Sequence, residues 1–319
     1  MIAVHLEKGR VAIRKRPVPE IAEGFARIRL LLGGICNTDL ELQRGYYDFE
    51  GTPGHEFVGE VVEAANRELI GRRVVGDINL SCGECGWCMD KIGRHCPKRT
   101  VLGIVKHPGA FAEFLTLPER NLHVVPNSIP TEHAVFAEPL AAACAIPDRM
   151  LFPMGSVIAV LGDGKLGLLI AQVLHARGMV VQQFGHHKEK LRISEAVGIE
   201  TEVVGAWLPA ARYDHVVDAT GSPEGLATAI SMARPLGNVI MKSTMHGLVS
   251  VNTAPIVVNE LTLHGSRCGQ MESALKLLKS RKINVADMIS ETYSLADARN
   301  AFKRAATRGV MKVLLDIRL

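Results

Sequence analysis

The sequence predicts an α/β protein: a doubly wound parallel sheet joined to a second, β-rich domain. Three observations predict it. From residue 157 onward, strand-length apolar runs alternate with helix-length segments, the pattern of a parallel sheet covered by helices. Residues 1–125 instead hold short apolar runs repeatedly broken by Gly and Pro, which reads as strands and loops. Between the two textures lies the turn Gly162-Asp163-Gly164-Lys165-Leu166-Gly167, with a strand before it and an apolar helix after it. A length of 319 residues suits two domains at roughly 150 residues each.

Composition excludes several classes. Hydrophobic residues make up 47% and charged residues 22%, enough for sizeable cores and unlike a disordered chain. The net charge of +4 is spread without a block of like charges, so no nucleic-acid or membrane-surface partner is implied. No apolar run reaches the roughly 18 residues of a membrane span. Residues 1–14 are strand-like and lack a signal-peptide pattern, so the expected address is the cytoplasm.

In the β-rich part, strands are expected at 26–32, 57–62, 73–75 and 111–117. A strand at 157–161 then leads through the glycine turn into a helix at 166–176, stopped by Gly178. A strand at 179–184 and a helix at 188–197, stopped by Gly198, repeat the unit. Strands at 203–204 and 215–219 follow. Ser222-Pro223-Glu224 starts a helix at 223–233 through a cap, a first-turn proline and an acid. A strand at 239–241, helices at 272–281 and 297–308 and a last strand at 312–317 complete the chain.

Within the turn, Gly162 permits the sharp bend, Gly164 lets backbone approach a pyrophosphate, and Gly167 lets helix and strand pack closely. Lys165 and Leu166 open the helix, whose N-terminus favours negative charge. This is the dinucleotide fingerprint of a Rossmann domain. An NAD site carries an acid about 20 residues further on. Here the stretch reads Gly185-His186-His187-Lys188 without one, so NADP(H) is favoured over NAD(H), with the two histidines and the lysine as partners for the 2′-phosphate.

Seven cysteines in a chain without a signal peptide do not read as a disulfide framework. Cys82, Cys85, Cys88 and Cys96 follow C-x2-C-x2-C-x7-C, a spacing that wraps one tetrahedral ion and closes its coordination. Such a site holds structure and leaves no position for substrate. An iron in the same cage, or four plain thiols, are the alternatives. Cys36, His55 and Glu138 together would make a mixed set of three ligands with a fourth position open, as in a catalytic zinc site, although singly a cysteine or histidine is more often a buried core residue.

The ordered motifs GICNTD, PGHEFVGEV, the four-cysteine lobe, AEPL and the glycine fingerprint resemble the zinc-dependent medium-chain dehydrogenases, the family of alcohol, sorbitol and threonine dehydrogenases. The resemblance runs over nearly the whole chain. It implies a GroES-like catalytic domain over 1–145, a Rossmann domain over 146–266 and a return to the catalytic domain over 267–319. It implies two zinc ions. Cys36, His55 and Glu138 would hold the catalytic one, with Glu56 as an acid able to approach it, and the four lobe cysteines the structural one. Thr38 would relay the proton and Asp39 would orient His55. Thr220 and Gly221, with Ser243 and Thr244 after the next strand, would line the cofactor cleft.

The activity implied is hydride transfer between an alcohol (secondary alcohol, polyol or sugar-type) and NAD(P), with zinc as Lewis acid on the alkoxide or carbonyl. A homodimer or homotetramer, joined through the strand at 261–264, is implied too. The alternatives are an NADPH-dependent aldehyde or ketone reductase with a specialised substrate, or a non-catalytic zinc- and nucleotide-binding regulatory protein. The chain is shorter than typical members around 65–69 and after Gly265. Tyr46 and Tyr47 are candidates for the pocket lining.

Overall fold

Short alternating apolar runs fold as strands in the first third of the chain. The structure is a computed structural model and describes residues 1–153, 155–205, 208–244 and 248–319. β1 (Ile2–Glu7) and β2 (Arg10–Lys15) pair as an antiparallel hairpin. β3 (Phe25–Ile35) leads through Cys36 into helix α1 (Asn37–Gln43). β4 (Glu56–Glu63), β5 (Arg73–Gly76) and β6 (Asn79–Leu80) precede the one-turn helix α2 (Gly86–Met89) within the cysteine run. β7 (Thr100–Leu102), β8 (Lys106–His107), β9 (Phe114–Pro118) and β10 (Leu122–Val124) follow. Helices α3 (Thr131–Ala134) and α4 (Ala137–Cys144) come next.

The alternating part holds β11 (Val157–Leu161), α5 (Lys165–Ala176), β12 (Val180–Gly185), α6 (Lys188–Glu195) and β13 (Glu200–Val203). It continues with β14 (Tyr213–Asp218), α7 (Pro223–Met232), β15 (Ala233–Met241), α8 (Ala254–Val258) and β16 (Thr262–Gly265). The last elements are α9 (Met271–Ser280), β17 (Ile289–Ser294), α10 (Ala298–Ala305) and β18 (Lys312–Asp316).

Two compact units result. One comprises Met1–Glu138, Ala274–Lys279 and Ile289–Leu319; the other comprises Pro139–Ser273 and Ser280–Met288. The first is built on a mostly antiparallel sheet ordered β10-β5-β4-β3-β18-β17, with β9 also pairing β3. Its core includes Ile28, Leu30, Phe57, Val313 and Leu315, with Phe111 and Phe302 in edge-to-face contact at 6.1 Å. The second holds a six-stranded parallel sheet ordered β13-β12-β11-β14-β15-β16. That order places the first strand centrally and reverses beside it, which opens a crevice at the carboxyl ends of the strands.

Several expectations shift. Phe111 turns into the core ahead of β9 instead of starting the strand. The strand expected at 203–204 spans Glu200–Val203, where it pairs with β12. β17 was not expected, because its residues Ile-Ser-Glu-Thr-Tyr-Ser are partly exposed and carry no apolar run. Ser222 stands at the cap position of α7, yet its side chain makes no capping bond; its N–H donates to Thr220 Oγ1 instead. Gly178 and Gly198 end their helices at positive φ, where a side chain would be strained.

Candidate active site and metal centres

Register brings the first set of residues together. Gly34, near the end of β3, pairs with Glu56 at the start of β4, so Cys36 just beyond one strand meets His55 just before the other. The sulfur of Cys36, a ring nitrogen of His55 and a carboxylate oxygen of Glu56 lie within 4.8 Å of one another. Asp39 ties the two chain segments: its buried carboxylate accepts from Cys36 N–H at 2.8 Å and from Gly54 N–H at 3.1 Å. The same group lies 3.5 Å from His55 Nδ1. Thr38 Oγ1 is 3.8 Å from Cys36 Sγ.

Electrostatics mark this cluster as one that wants a cation. Burial pulls the His55 pKa down, but Asp39 and Cys36 outweigh it and hold the imidazole well above its ordinary range. His55 Nδ1 is buried and makes no hydrogen bond among the described residues. A sulfur, a nitrogen and an oxygen donor converging in this way suit zinc. Glu138 is not within the 4.8 Å group. It sits half-buried in the first turn of α4, where desolvation, with Glu56 and Asp77, pushes its carboxyl up to about 7 against the pull of His55 and Lys312.

Sequence reasoning missed Lys312. This fully buried lysine opens β18 and donates from Nζ to Glu56 Oε2, with its charge 5.7 Å from the Phe136 ring centre. Burial lowers its pKa, but Glu56 and Cys36 more than restore it. Gly34 leaves the space they occupy: a Cβ there would come within 2.8 Å of Glu56 Oε2 and 3.2 Å of the Lys312 chain. No local signal pointed to it: Lys312 opens a terminal strand whose other end, Asp316, is charged too.

The four lobe cysteines form a second cluster. Their sulfurs are 3.5 Å (Cys85–Cys88 and Cys82–Cys96), 3.7 Å (Cys85–Cys96) and 3.9 Å (Cys82–Cys88) apart. A tetrahedron of Zn–S bonds near 2.3 Å has edges of about 3.8 Å. All four are free of disulfides. N–H groups of Glu84 and Cys85 aim at Cys82 and draw its thiol down to about 6, favouring the thiolate a metal needs.

In the other unit the glycine turn has the geometry of a phosphate cradle. Gly162 is at φ +117°, and a Cβ there would meet Ala219 O at 2.6 Å. A Cβ on Gly167 would meet Gly162 O at 2.4 Å. Gly164 has nothing within 4 Å of its Cβ position and caps α5, so a side chain would fill the space over a helix N-terminus. Lys165 and Leu166 form the first turn. Buried Gln183 braces the loop, donating to Gly162 O while accepting from Ser194 Oγ.

Asp163 has a role that no sequence motif announces. Its carboxylate accepts from the N–H groups of His186 and His187, both at 2.7 Å, and lies 3.0 Å from His187 Nδ1. Burial would raise its pKa, but these bonds win and lower it. A Cβ on Gly185 would come within 2.6 Å of Asp163, so the usual strand-end acid and Asp163 compete for one space. His186 and Lys188 remain exposed. At the ends of β14 and β15, Thr220 caps Asp218 through N–H and Oγ1, and Gly221 N–H donates to Ser243 Oγ at 2.9 Å.

Comparison with known proteins agrees with this arrangement. Residues 22–127 match the alcohol dehydrogenase GroES-like domain and residues 166–280 the zinc-binding dehydrogenase domain. L-threonine 3-dehydrogenase of Streptomyces avermitilis is 30% identical over 94% of this chain and 94% of its own length. D-arabitol-phosphate dehydrogenase of Enterococcus avium is 28% identical over 94% of this chain and 92% of its own. The crystal structure of a zinc-binding dehydrogenase from Sinorhizobium meliloti 1021, bound to NADP, superposes with a TM-score of 0.91 at 29% identity, covering 99% of this chain and 98% of that one. The chain belongs to the zinc-dependent medium-chain dehydrogenase family. It is an oxidoreductase with a GroES-like domain and a Rossmann domain.

Proposed function

We propose that the protein interconverts a polyol or related secondary alcohol and its carbonyl form, with a nicotinamide dinucleotide as hydride partner. The observation that carries this reading is the meeting of Cys36, His55 and Glu56 in a buried, electronegative cluster beside the hydroxyl of Thr38. Curated relatives acting on D-arabitol phosphate and on threonine support an alcohol substrate. The test is a panel of polyols, sugars, threonine, secondary alcohols and aldehydes with NADP and NAD in parallel. No turnover on any of them by zinc-loaded protein would sink the reading.

Zinc held by Cys36 and His55, with Glu138 or Glu56, supplies a Lewis acid that acidifies an alcohol or polarises a carbonyl. The dinucleotide supplies the hydride acceptor or donor. The protein's own residues do the rest. Asp39 fixes the Cys36 and Gly54 backbone, so that sulfur and imidazole face one point. Thr38 takes the substrate proton at Oγ1 and passes it outward. Lys312 holds Glu56 back and balances its charge.

Cys82, Cys85, Cys88 and Cys96 would hold a second, structural zinc, giving two per chain. Cys96→Ser is then expected to lower the zinc content by one equivalent and to reduce the melting temperature, as read by metal analysis and thermal unfolding. Zinc uptake at the first cluster must displace the proton that His55 holds. Affinity there should fall by at least about tenfold per pH unit once the pH drops below the raised His55 pKa, because that proton and any on the Cys36 thiol must both leave. Chelator competition at several pH values measures this, and a flat profile would contradict it.

NADP(H) is the favoured dinucleotide. No acid stands at the end of β12, exposed His186 and Lys188 can face a 2′-phosphate, and Asp163 is already engaged by two N–H groups and His187. Lys188→Glu is expected to lower the NADP/NAD ratio of kcat/KM by about tenfold, equivalent to ~1.4 kcal/mol. An unchanged ratio would remove Lys188 from the site.

A homodimer or homotetramer fits the open edge of β16, where Leu263 and nearby Val257 and Val258 are exposed. No helix among the described residues is long and apolar enough to cross a membrane, and the cytoplasm is the proposed location.

A further inference from the structure

A cavity of about 870 Å³ lies within the first unit, and none of Cys36, His55 or Glu56 lines it. Its walls come from β1, Arg16 just after β2, the segment Tyr47–Thr52, Arg99 and the segment Ile104–Pro108. The volume is that of a small-molecule site. The cavity adjoins the candidate active site along the chain: Thr52 precedes His55 by three residues, so their Cα atoms are at most ~11 Å apart.

Buried donors without partners distinguish this cavity. His5 is 3% exposed, and its Nε2 makes no hydrogen bond among the described residues, the exposed Glu50 carboxylate standing 3.8 Å away, too far to accept one. Arg16 lies 3.0 Å from His5 Nδ1. Arginine can only donate, so Nδ1 must accept, and the ring proton sits on Nε2. Burial, with Arg14 and Arg16, lowers the His5 pKa and keeps this neutral tautomer. The Nε of Arg99 is likewise buried and unpartnered. Unmet buried donors are costly, which makes them a sign of an absent acceptor.

His5, Glu7 and Glu50 also stand close enough to suggest a cation site. Chemistry argues against that. Nε2 carries a hydrogen and not a lone pair, and Glu7 is already paired with Arg14. Arg16, Arg99 and Lys106 bring three positive charges to the walls against two negative ones, Asp48 and Glu50, and all but the half-buried Arg99 lie exposed. Tyr47, Asp48 and Lys106 all adopt positive φ, at 60°, 48° and 51°. Strain of this kind gathers where a ligand is held. His107 donates from Nδ1 to Pro108 O, which leaves Nε2 as an acceptor for a hydroxyl.

We propose that this cavity seats a phosphate monoester, bound by His5 Nε2, the Arg99 and Arg16 guanidinium groups and Lys106. A dianion meets several donors and three cations here, where a carboxylate would leave donors unused. The source favoured is the substrate itself, a polyol phosphate whose carbon chain runs on toward His55. Only that source rests on the polyol reading above; a separate phosphate compound would use the same site.

The test uses zinc-loaded full-length protein, with Arg99→Gln and the exposed Lys106→Gln as variants whose folding is checked by thermal unfolding. Inorganic phosphate is titrated calorimetrically. Turnover is measured on a pentitol, its terminal phosphate and L-threonine. Phosphate is expected to bind the parent and to bind each variant about tenfold more weakly. The polyol phosphate is expected to exceed the polyol at least tenfold in kcat/KM, with the ratio collapsing in the variants. Variant-sensitive phosphate binding without that preference would support the site and assign it to a separate phosphate compound. Absent phosphate binding, binding unchanged in both variants, or an Arg99-dependent preference for threonine would overturn the proposal. Turnover of the plain pentitol without phosphate binding would defeat this inference alone. Phosphate binding without turnover of any substrate would defeat the polyol reading alone.

Discussion

Replacing Cys36 by alanine is expected to reduce turnover by about a thousandfold while dinucleotide affinity changes by less than about twofold. The magnitude follows from the role given to the cluster. Lewis-acid stabilisation of developing negative charge supplies several kcal/mol, and about 4 kcal/mol is a factor of roughly 10³ in rate. The specificity of the effect follows from the fold. The glycine turn, Asp163 and the Gly221–Ser243 bond belong to a different unit, so the dinucleotide seat stays intact. Metal analysis should show one zinc lost and one retained by the four lobe cysteines. Residues that serve one ion act as a unit, so Cys36→Ala and His55→Ala combined should cost little more than either alone. Turnover within tenfold of the parent would show that Cys36 is not part of the reacting site.

Local geometry explains what could be read from the sequence. The glycine fingerprint is legible because each glycine answers a constraint within a few residues: Gly162 a positive φ, Gly167 a close approach to Gly162 O. The cysteine lobe is legible because its four sulfurs converge over a span of 15 residues. Cys36 and His55 are harder. They meet only through the pairing of β3 with β4, and their spacing alone carries no such message. Lys312 is beyond reach, because 256 residues separate it from Glu56 and only the place of β18 beside β3 unites them. Asp163 occupies a variable position of the fingerprint. Its role depends on where β12 ends, a tertiary fact. The phosphate cavity likewise draws its walls from five separated segments, and neither His5 nor Arg99 belongs to any motif.

Lys312→Met is expected to destabilise the zinc-free protein by about 3–5 kcal/mol, the cost of leaving one member of a buried ion pair uncompensated. Methionine keeps much of the lysine's length and packing, so the loss reports charge and not a cavity. The double variant Glu56→Gln/Lys312→Met should recover most of that stability, because no buried charge is left unpaired. Denaturant unfolding of the parent, both single variants and the double variant gives the coupling directly. Activity should follow a different course. Lys312 holds the Glu56 carboxylate by a hydrogen bond, and without it Glu56 is free to turn toward the metal ligands Cys36 and His55. Lys312→Met should therefore bind zinc more tightly than the parent and yet turn over more slowly, since the position meant for substrate is contested. A variant as stable as the parent would mean that Glu56 is not buried in its charged form. Lower zinc affinity would mean instead that Lys312 merely supports the cluster, and that Glu56 takes no part in the competition for the ion.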